Sequence, residues 1–384
     1  MKKFLFSLVL LVLCLFPINA FAENDLIVNA VSGVLMEEST GTIIYEKEKD
    51  KQVSVASMTK MVAQIIILEN IESNKIKWTD IVTVSKNAAD MGGSQIYLSA
   101  DEKMSVKDLF KGISMASAND ATVAMAEYIA GNEGKFVKMM NKKVQDLGLK
   151  NTVFKNCTGL DEDGHFSSAY DMAIIARELL SHKQILDFSS VYEDYLRVDT
   201  PNKFWLVNTN KLVRLYDGAD GLKTGHTDNA GYCLAATAKR NGMRLIAIVL
   251  GENTAKIRNS ETTGLLDYGF NNKKVQNIKK SNDVIKKVTL DKASIKNVNV
   301  YPKYDINILQ DKGVNNKKYK ITTKINNIKL PAKKESVVGK ITVKEKNKTV
   351  YVGDLVIKQD ISKLNFVQLY LRNMQSMIIG EVGE

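Results

Sequence analysis

A serine stands three residues before a lysine in the segment SMTK, residues 57–60, directly ahead of the apolar run MVAQIIILENI. A serine hydroxyl is a weak nucleophile at neutral pH and needs a base within hydrogen-bond reach. Positions i and i+3 share one face of a helix, so Ser57 and Lys60 meet if a helix begins here. Lysine serves as a base only when its pKa is lowered, which burial, a second cation and the positive end of a helix dipole each favour. The pair predicts an activated serine, although a serine helix cap beside an unrelated lysine is the alternative for this element alone.

A second short motif lies in MASAND, where Ser117 and Asn119 stand two residues apart in a predicted turn between apolar helices. Both side chains can project from such a turn in the same direction. The alternative is that one of them only caps the helix that begins near Asp120.

A third motif, in GLKTGHT, places Lys223, Thr224 and Gly225 on a predicted strand. Gly225 lets an extended substrate backbone approach the edge of a sheet, whereas the alternative is a β-turn with surface polar residues. Ser-x-x-Lys, Ser-x-Asn and Lys-Thr-Gly, in this order, are the motif set of penicillin-binding proteins and class A β-lactamases. The three together predict a serine acyl-transfer enzyme.

The chain resembles the serine-type D-alanyl-D-alanine carboxypeptidases, the low-molecular-mass penicillin-binding proteins, across essentially all of its length. The blocks similar to that family's catalytic domain are SVASMTKMV, SMASANDATVAMAEYIAG, NCTGLDEDGHFSSAYDMA and GADGLKTGHTDNAGYCLAATAKRNGMRLIAIVLG. LPAKKESVVGKITV is similar to its β-rich C-terminal domain, and the tail is similar to its membrane anchor. The resemblance implies removal of the terminal D-alanine from peptidoglycan pentapeptide stems, and capture of β-lactam antibiotics on the same serine.

The resemblance also implies a role for each site residue. Ser57 would be acylated, Lys60 would be its general base, Ser117 would relay a proton to the leaving D-alanine, and Asn119 would bind the substrate amide. Lys223 would supply the positive potential that helps to keep Lys60 neutral, and Thr224 and Arg258 would hold the terminal carboxylate of the substrate. The backbone N–H groups of Ser57 and His226 would bind the oxyanion. The alternative for Arg258 is a surface cation on a helix. The histidines lack any paired-ligand spacing, so we expect neither a metal nor a cofactor.

Three alternatives to a carboxypeptidase remain open. A class A β-lactamase would carry a loop Glu-x-x-Leu-Asn between Asn119 and Lys223, and Glu162, the nearest loop glutamate, lacks that context. A peptidoglycan DD-endopeptidase would keep the three motifs, but the additional β-rich segment argues against it. A non-catalytic wall-binding protein predicts damage in the catalytic set, and every member of that set is present.

The arrangement of elements predicts an α+β fold of the β-lactamase/transpeptidase type. Residues 1–22 combine two lysines, an apolar core and small residues before a cleavage site, which predicts a signal peptide and an exported protein. In residues 23–272, the segment LIVNAVSGVLMEESTGTIIYEKEKD predicts a β-hairpin, and apolar positions at helical spacing predict mostly helices over residues 104–180. The segments GLKTGHT, AGYCLAATAKR and RLIAIVLGEN predict three strands separated by turns. Strands at both ends with helices between them predict one antiparallel sheet flanked by helices, with a helical subdomain. Residues 273–360 alternate polar and apolar residues, which predicts a small all-β domain. The two cysteines of the expected mature chain, Cys157 and Cys233, are expected to be packed thiols, although an exported protein permits a bridge.

Residues 361–384 predict an amphipathic helix, with Leu364, Val367, Leu371, Met374 and Ile378 forming one apolar stripe. The stripe is too short to span a bilayer, so we expect peripheral attachment to the outer face of the cytoplasmic membrane. Lys358, Lys363 and Arg372 are expected to face anionic lipid. The alternative is that the stripe packs on the β-domain.

Charge is concentrated in residues 273–363, which carry 23 lysines, no arginine and 8 acidic residues. An anionic membrane surface or a wall polymer suits this excess of positive charge. The expected export and the missing arginine argue against nucleic acid as a partner. The alternative is a solvated face that only maintains solubility.

Overall fold

The computed structural model describes residues 25–314 and 318–379 of the 384-residue chain, so the predicted signal peptide lies outside the described residues. The strands in chain order are β1 Ser32–Glu37, β2 Ile43–Lys47, β3 Ile81–Thr83, β4 Lys103–Ser105, β5 Glu193–Leu196, β6 Phe204–Val207, β7 Ala219–Thr227, β8 Gly231–Arg240, β9 Met243–Glu252, β10 Lys273–Lys279, β11 Lys286–Thr289, β12 Asn297–Pro302, β13 Ile306–Asp311, β14 Tyr319–Ile325, β15 Val337–Glu345 and β16 Lys348–Val356.

Helices connect and flank these strands. They are α1 Lys60–Glu72, α2 Lys86–Ala89, α3 Val106–Met115, α4 Asn119–Ala130, α5 Glu133–Asp146, α6 Ala169–Ser181, α7 Leu186–Ser189, α8 Leu212–Leu215, α9 Ala255–Asn272 and α10 Phe366–Ile379, with short 3-10 turns at Ala56–Thr59 and Lys183–Ile185.

The central sheet is antiparallel and has the strand order β2-β1-β9-β8-β7. It brings the first hairpin of the domain beside strands that follow it by about two hundred residues, as the sequence predicted. Side chains of β9 alternate between two cores: Ile246 and Ile248 pack on the helical side, whereas Ala247 and Val249 pack on the side covered by α9. The sheet is thus buried on both faces, and β7 forms one of its edges.

A helical subdomain covers one face of the sheet and surrounds α1. The residues of α1 from Lys60 to Leu68 are all buried, so this helix runs through the interior. Neighbouring helices begin at side-chain caps: Ser105, Asn132 and Ser168 each accept a hydrogen bond from a backbone N–H in the first turn of α3, α5 and α6. The helices that the apolar periodicity predicted between residues 104 and 180 are therefore present.

The residues after α9 form an all-β domain of two packed sheets, with strand orders β11-β12-β16-β15-β14 and β10-β13. Its core contains Val298, Val300, Ile306, Ile341 and Leu355. Along β15, the buried Ile341 and Val343 alternate with the more exposed Lys340, Thr342 and Lys344, which is the pattern that predicted the domain.

Helix α10 follows this domain and exposes its apolar stripe, with Val367, Leu371 and Ile378 being 62%, 60% and 81% exposed. The alternative in which the stripe packs on the β-domain is therefore wrong for these residues. Arg372 was expected to face lipid but instead donates hydrogen bonds to the carbonyl oxygens of Ala293, at 2.7 Å, and Asp291. This arginine ties the helix to the β-domain. Among the described residues, no helix combines the length and the apolar character that a bilayer crossing requires.

Candidate active site

The serine of the first motif lies in the 3-10 turn Ala56–Thr59 that leads into α1. The Nζ of Lys60 lies 2.8 Å from the Oγ of Ser57, as the i, i+3 spacing predicted. Lys60 is completely buried, whereas Ser57 is half-buried and open to solvent. A reachable hydroxyl therefore contacts an amine that water does not reach.

Burial is the main cause of the unusual acidity of Lys60: it lowers the pKa of the amine to about 7. Its two hydrogen-bond partners within the described part of the chain are neutral, namely Ser57 Oγ and the carbonyl oxygen of Thr158 at 2.6 Å. Asp120 and Cys157 oppose the shift only partly. Near neutral pH the amine thus has a substantial unprotonated fraction, which a base requires.

Lys223 on β7 is a second buried lysine, and its Nζ donates to the carbonyl oxygen of Thr224 at 3.0 Å. Burial lowers its pKa well below the ordinary value, and the charges of Lys60 and Arg258 add to that effect. Two ammonium groups in one buried region disfavour each other's charge. Charge on Lys223 is therefore disfavoured unless an anion binds beside it.

The second motif forms the turn between α3 and α4. Ser117 has a left-handed backbone with φ of +62°, which is uncommon for a residue with a side chain. The residue that caps α4 is Ala118, which makes no side-chain cap, so the alternative of a capping Ser117 or Asn119 is wrong. Ser117 Oγ and Asn119 Oδ1 are buried and have no hydrogen-bond partner within the described residues. Such orphaned polar atoms are rare, and here they suit a bound ligand.

A loop at residues 91–98, which the sequence analysis did not single out, surrounds the second motif. The Nδ2 of Asn119 donates to the carbonyl oxygen of Gly92 at 2.7 Å, and the backbone N–H of Asn119 donates to that of Ser94 at 2.7 Å. The buried carboxylate of Asp120 accepts from the N–H groups of Ile96 and Leu98. These contacts fix the orientation of Asn119.

The third motif lies on the edge strand β7, directly against the turn that carries Ser57. A Cβ atom at Gly225 would lie 2.7 Å from the carbonyl oxygen of Val55 and 3.2 Å from the Cβ of Ala56. From the sequence alone, this glycine was expected to admit a substrate backbone. In the structure, the backbone that approaches it belongs to the chain itself, and the absent side chain brings the strand to the serine.

The remaining predicted residues differ in burial. Thr224 Oγ1 donates to Thr209 Oγ1 at 2.8 Å. Arg258 is 5% exposed, and its Nη2 donates to the Oδ1 of Asn259 at 2.9 Å, so the alternative of a surface cation is wrong. Burial lowers its pKa. His226 is exposed, and its ring stacks on Tyr232 with the centroids 4.0 Å apart.

A loop at residues 156–165 holds the serine turn from the other side. Gly159 has φ of +83°, and a Cβ atom there would lie 1.9 Å from the carbonyl oxygen of Ala56. Asn156 Oδ1 accepts from the N–H groups of Gly159, at 2.8 Å, and Thr158. His165 Nε2 lies 2.8 Å from Thr59 Oγ1, and burial lowers its pKa to about 4, so the imidazole is neutral. The block NCTGL carries no motif that predicts this role from the sequence.

The thiols of Cys157 and Cys233 are both buried and unbridged, as expected. Burial raises the pKa of each thiol, so neither is a reactive thiolate at neutral pH. The two cysteines are therefore not candidate nucleophiles.

Comparison with known proteins decides the family. Residues 19–254 match the family model described as D-alanyl-D-alanine carboxypeptidase. The chain belongs to this family. Residues 270–363 match a second model, described as the C-terminal domain of penicillin-binding protein 5. The family and fold class that the motifs indicated are confirmed, and this D-alanyl-D-alanine carboxypeptidase is a serine hydrolase.

Relatives of this carboxypeptidase extend over both domains. The D-alanyl-D-alanine carboxypeptidase DacF of Bacillus subtilis is 44% identical over 383 residues, covering 97% of this chain and 98% of its own length. The carboxypeptidase DacA of Escherichia coli strain K12 is 34% identical and covers 88% of this chain and 85% of its own length. The crystal structure of penicillin-binding protein 5 from Haemophilus influenzae is 32% identical and superimposes with a TM-score of 0.72, covering 88% of this chain and 98% of that one.

A shorter structural relative shows the catalytic domain with an antibiotic. Penicillin-binding protein D2 from Listeria monocytogenes, in its ampicillin-bound form, is 32% identical, with a TM-score of 0.57. It covers 63% of this chain and 97% of its own length. The catalytic domain is therefore similar to a protein that binds a β-lactam.

Proposed function

We propose that this enzyme removes the terminal D-alanine from peptidoglycan pentapeptide stems through an ester formed on Ser57. The observation that carries the proposal is the 2.8 Å contact between Ser57 Oγ and the buried amine of Lys60. An amine with a pKa of about 7 accepts the serine proton without a histidine or a carboxylate.

In the acylation step, Ser57 Oγ bonds to the carbonyl carbon between the two D-alanines, and its proton passes to Lys60 Nζ. The backbone N–H groups of Ser57 and His226 stabilise the oxyanion of the tetrahedral intermediate. The C–N bond then breaks, and the departing amine takes a proton that Ser117 relays from Lys60. Ser117 Oγ suits this relay because it is buried and has no other hydrogen-bond partner in the described chain.

Recognition of the substrate uses the basic and hydroxyl side chains around the serine. Arg258 and the hydroxyl of Thr224 bind the free carboxylate of the terminal D-alanine, with the Thr224 O–H turned from Thr209 to the substrate, because charge-assisted hydrogen bonds to a carboxylate are strong in a buried site. The carboxylate also favours the charged form of Lys223. Arg258 is free for this role, since its partners among the described residues are an amide oxygen and, at 3.5 Å, the carbonyl oxygen of Cys233. Asn119 binds the substrate amide, and the substrate backbone lies along the edge of β7.

In the deacylation step, a water molecule attacks the ester carbonyl, the shortened stem leaves, and Ser57 regains its proton. A β-lactam is attacked in the same way, but its leaving nitrogen remains attached by the opened ring, which obstructs the water. Penicillins therefore inhibit the enzyme as long-lived covalent adducts.

The same proposal places the enzyme outside the cytoplasm, on the outer face of the cell membrane. The exposed stripe of α10 supports this location, because an amphipathic helix binds a bilayer surface through its apolar face. The lysines around the β-domain add electrostatic attraction to anionic lipid.

The assay for this function is the release of D-alanine from diacetyl-Lys-D-Ala-D-Ala by the purified protein. The active enzyme should release one D-alanine per substrate, and Ser57→Ala should abolish both release and covalent labelling by a fluorescent penicillin. Persistent labelling of Ser57→Ala would refute the assignment. Cross-linked muropeptide dimers in a parallel reaction test the alternative of an endopeptidase, which would consume the dimers faster.

A further inference from the structure

The outward face of β14 and β15 carries two pairs of lysines in direct cross-strand register. Lys320 is opposite Lys344, and Lys324 is opposite Lys340, while a threonine pair lies between them. The opposite face of the same strands enters the core through Ile341 and Val343. The lysine positions are therefore fixed by the hydrophobic pattern, because a shift of one residue would bury the charges.

This arrangement has an energetic cost to the folded chain. Like charges directly opposite each other on adjacent strands are destabilising. Asp354 offsets one of the four charges, with its carboxylate 3.2 Å from the Nζ of Lys340. Within the part of the chain that the structure describes, Lys320, Lys324 and Lys344 have no carboxylate partner. Solubility alone does not require charges in opposed pairs, whereas a bound anion would relieve their repulsion.

We propose that this lysine face binds a linear phosphodiester polymer of the cell envelope. The two lysine pairs lie about 13 Å apart along the strands, which suits a chain with repeated phosphates better than a single phosphate group. Lysine ammonium groups are rotatable point charges, suited to diffuse contact with many phosphates, and the domain has no arginine for planar, bidentate recognition. The inference depends on the external location in the proposed function, but not on the catalytic steps.

A lipid surface fits this face less well. Between the lysines lie Thr322 and Thr342, and β16 contributes the exposed Val352 beside them, so the face offers little apolar surface for insertion. The apolar stripe of the protein lies instead on α10. The lysine face and the helix are therefore separate features with different partners.

The test compares two variants of the full protein with equal loss of charge. K320Q/K324Q/K340Q/K344Q removes the lysine face, and K286Q/K287Q/K292Q/K296Q removes four exposed lysines elsewhere in the domain. Binding to poly(glycerol phosphate) is measured by titration calorimetry at several salt concentrations, and binding to phosphatidylglycerol vesicles is measured by sedimentation. The two probes share glycerol phosphate chemistry but differ in source.

The proposal predicts that the face variant binds the polymer at least about ten-fold more weakly than the control variant. It also predicts a dependence of log K on log salt that is shallower by about 3, because four phosphate contacts are lost. The melting temperature of the face variant should be no lower than that of the control, since repulsive pairs are removed.

Equal polymer affinity of the two variants overturns the proposal. So does a loss confined to vesicle binding, which would make the face a lipid contact. D-alanine release should be unchanged in both variants, so failure here is distinguishable from failure of the catalytic proposal.

Discussion

The carbonyl oxygen of Thr158 lies 2.6 Å from the Nζ of Lys60, whose other hydrogen-bond partner among the described residues is the hydroxyl of Ser57 at 2.8 Å. A neutral amine has two N–H donors and one lone pair. If one N–H is donated to Thr158, the amine is held so that its lone pair can receive the proton of Ser57. The backbone carbonyl group of Thr158, 98 residues away in the sequence, thus orients the base.

The acylation rate should rise with pH, with an apparent pKa near 7. Burial lowers the pKa of Lys60 to about 7, so the amine is protonated and inactive at pH 5 and neutral at pH 9. The measurement is the second-order rate constant for acylation by a chromogenic cephalosporin between pH 5 and pH 9. Lys60→Met should lower this constant about 10³-fold and remove the inflection. A wild-type profile that is flat, or that falls across pH 7, contradicts the role of Lys60.

Replacing Gly159 by alanine should impair both stability and catalysis. The new Cβ would lie 1.9 Å from the carbonyl oxygen of Ala56, so the serine turn must move. We expect a loss of about 2–4 kcal/mol in the free energy of unfolding, with a fall of at least about ten-fold in kcat/KM.

Gly148→Ala is the matched control for this change. Gly148 also has a left-handed backbone, with φ of +71°, but a Cβ atom there would contact nothing within 4 Å. Alanine should introduce only backbone strain there, which lowers the free energy of unfolding by about 1 kcal/mol. The value of kcat/KM should remain that of the wild type. Equal effects of the two substitutions on kcat/KM would show that the loop does not position the serine.

Glu252 should make the stability of the catalytic domain depend on pH. Its burial, together with a hydrogen bond to Glu261, raises the pKa of its carboxyl group to about 7. Because the carboxyl group holds its proton more tightly in the folded state, protonation stabilises the fold. This contribution is complete below pH 4.5, the unfolded pKa, and is lost as the pH rises through about 7, the folded pKa. Urea unfolding should therefore show a decline of about 1–3 kcal/mol over this range, relative to Glu252→Gln, which cannot ionise. Parallel pH profiles for the two proteins would contradict this.

The apolar stripe of α10 should determine attachment to lipid. Substituting glutamine for Val367, Leu371 and Met374 removes apolar surface from the exposed face while retaining good helix propensity. When phosphatidylglycerol vesicles are pelleted, this triple variant should stay in the supernatant, as it does without vesicles. Gln375→Ala on the same helix is the control and should bind like the wild type. Unchanged sedimentation of the triple variant would eliminate the helix as the attachment site.

Local sequence patterns were sufficient for most of the fold. Strand alternation and helical periodicity each depend on neighbouring residues, so they predicted the first hairpin, the helices between residues 104 and 180, and the three strands from Ala219 to Glu252. The contact between Ser57 and Lys60 was also predictable, because it needs only one turn of helix.

Contacts between distant segments were not predictable in this way. Thr158 supplies a backbone oxygen, which has no side-chain signature, and Thr209 pairs with Thr224 only because the fold brings them together. The left-handed conformation of Ser117 and the burial of Arg258 depend on surrounding packing. Gly225 was recognised as a close approach, but the sequence could not show which backbone approaches.

The most direct test of the account is to identify the residue that carries the acyl group. The protein is mixed with diacetyl-Lys-D-Ala-D-Ala, quenched in acid within milliseconds, digested, and analysed by mass spectrometry, with benzylpenicillin as a parallel ligand. Both ligands should modify the peptide containing Ser57, and free D-alanine should appear together with the adduct from the peptide substrate. An adduct on any other residue would contradict the role of Ser57. So would D-alanine release that leaves no adduct and that penicillin does not inhibit.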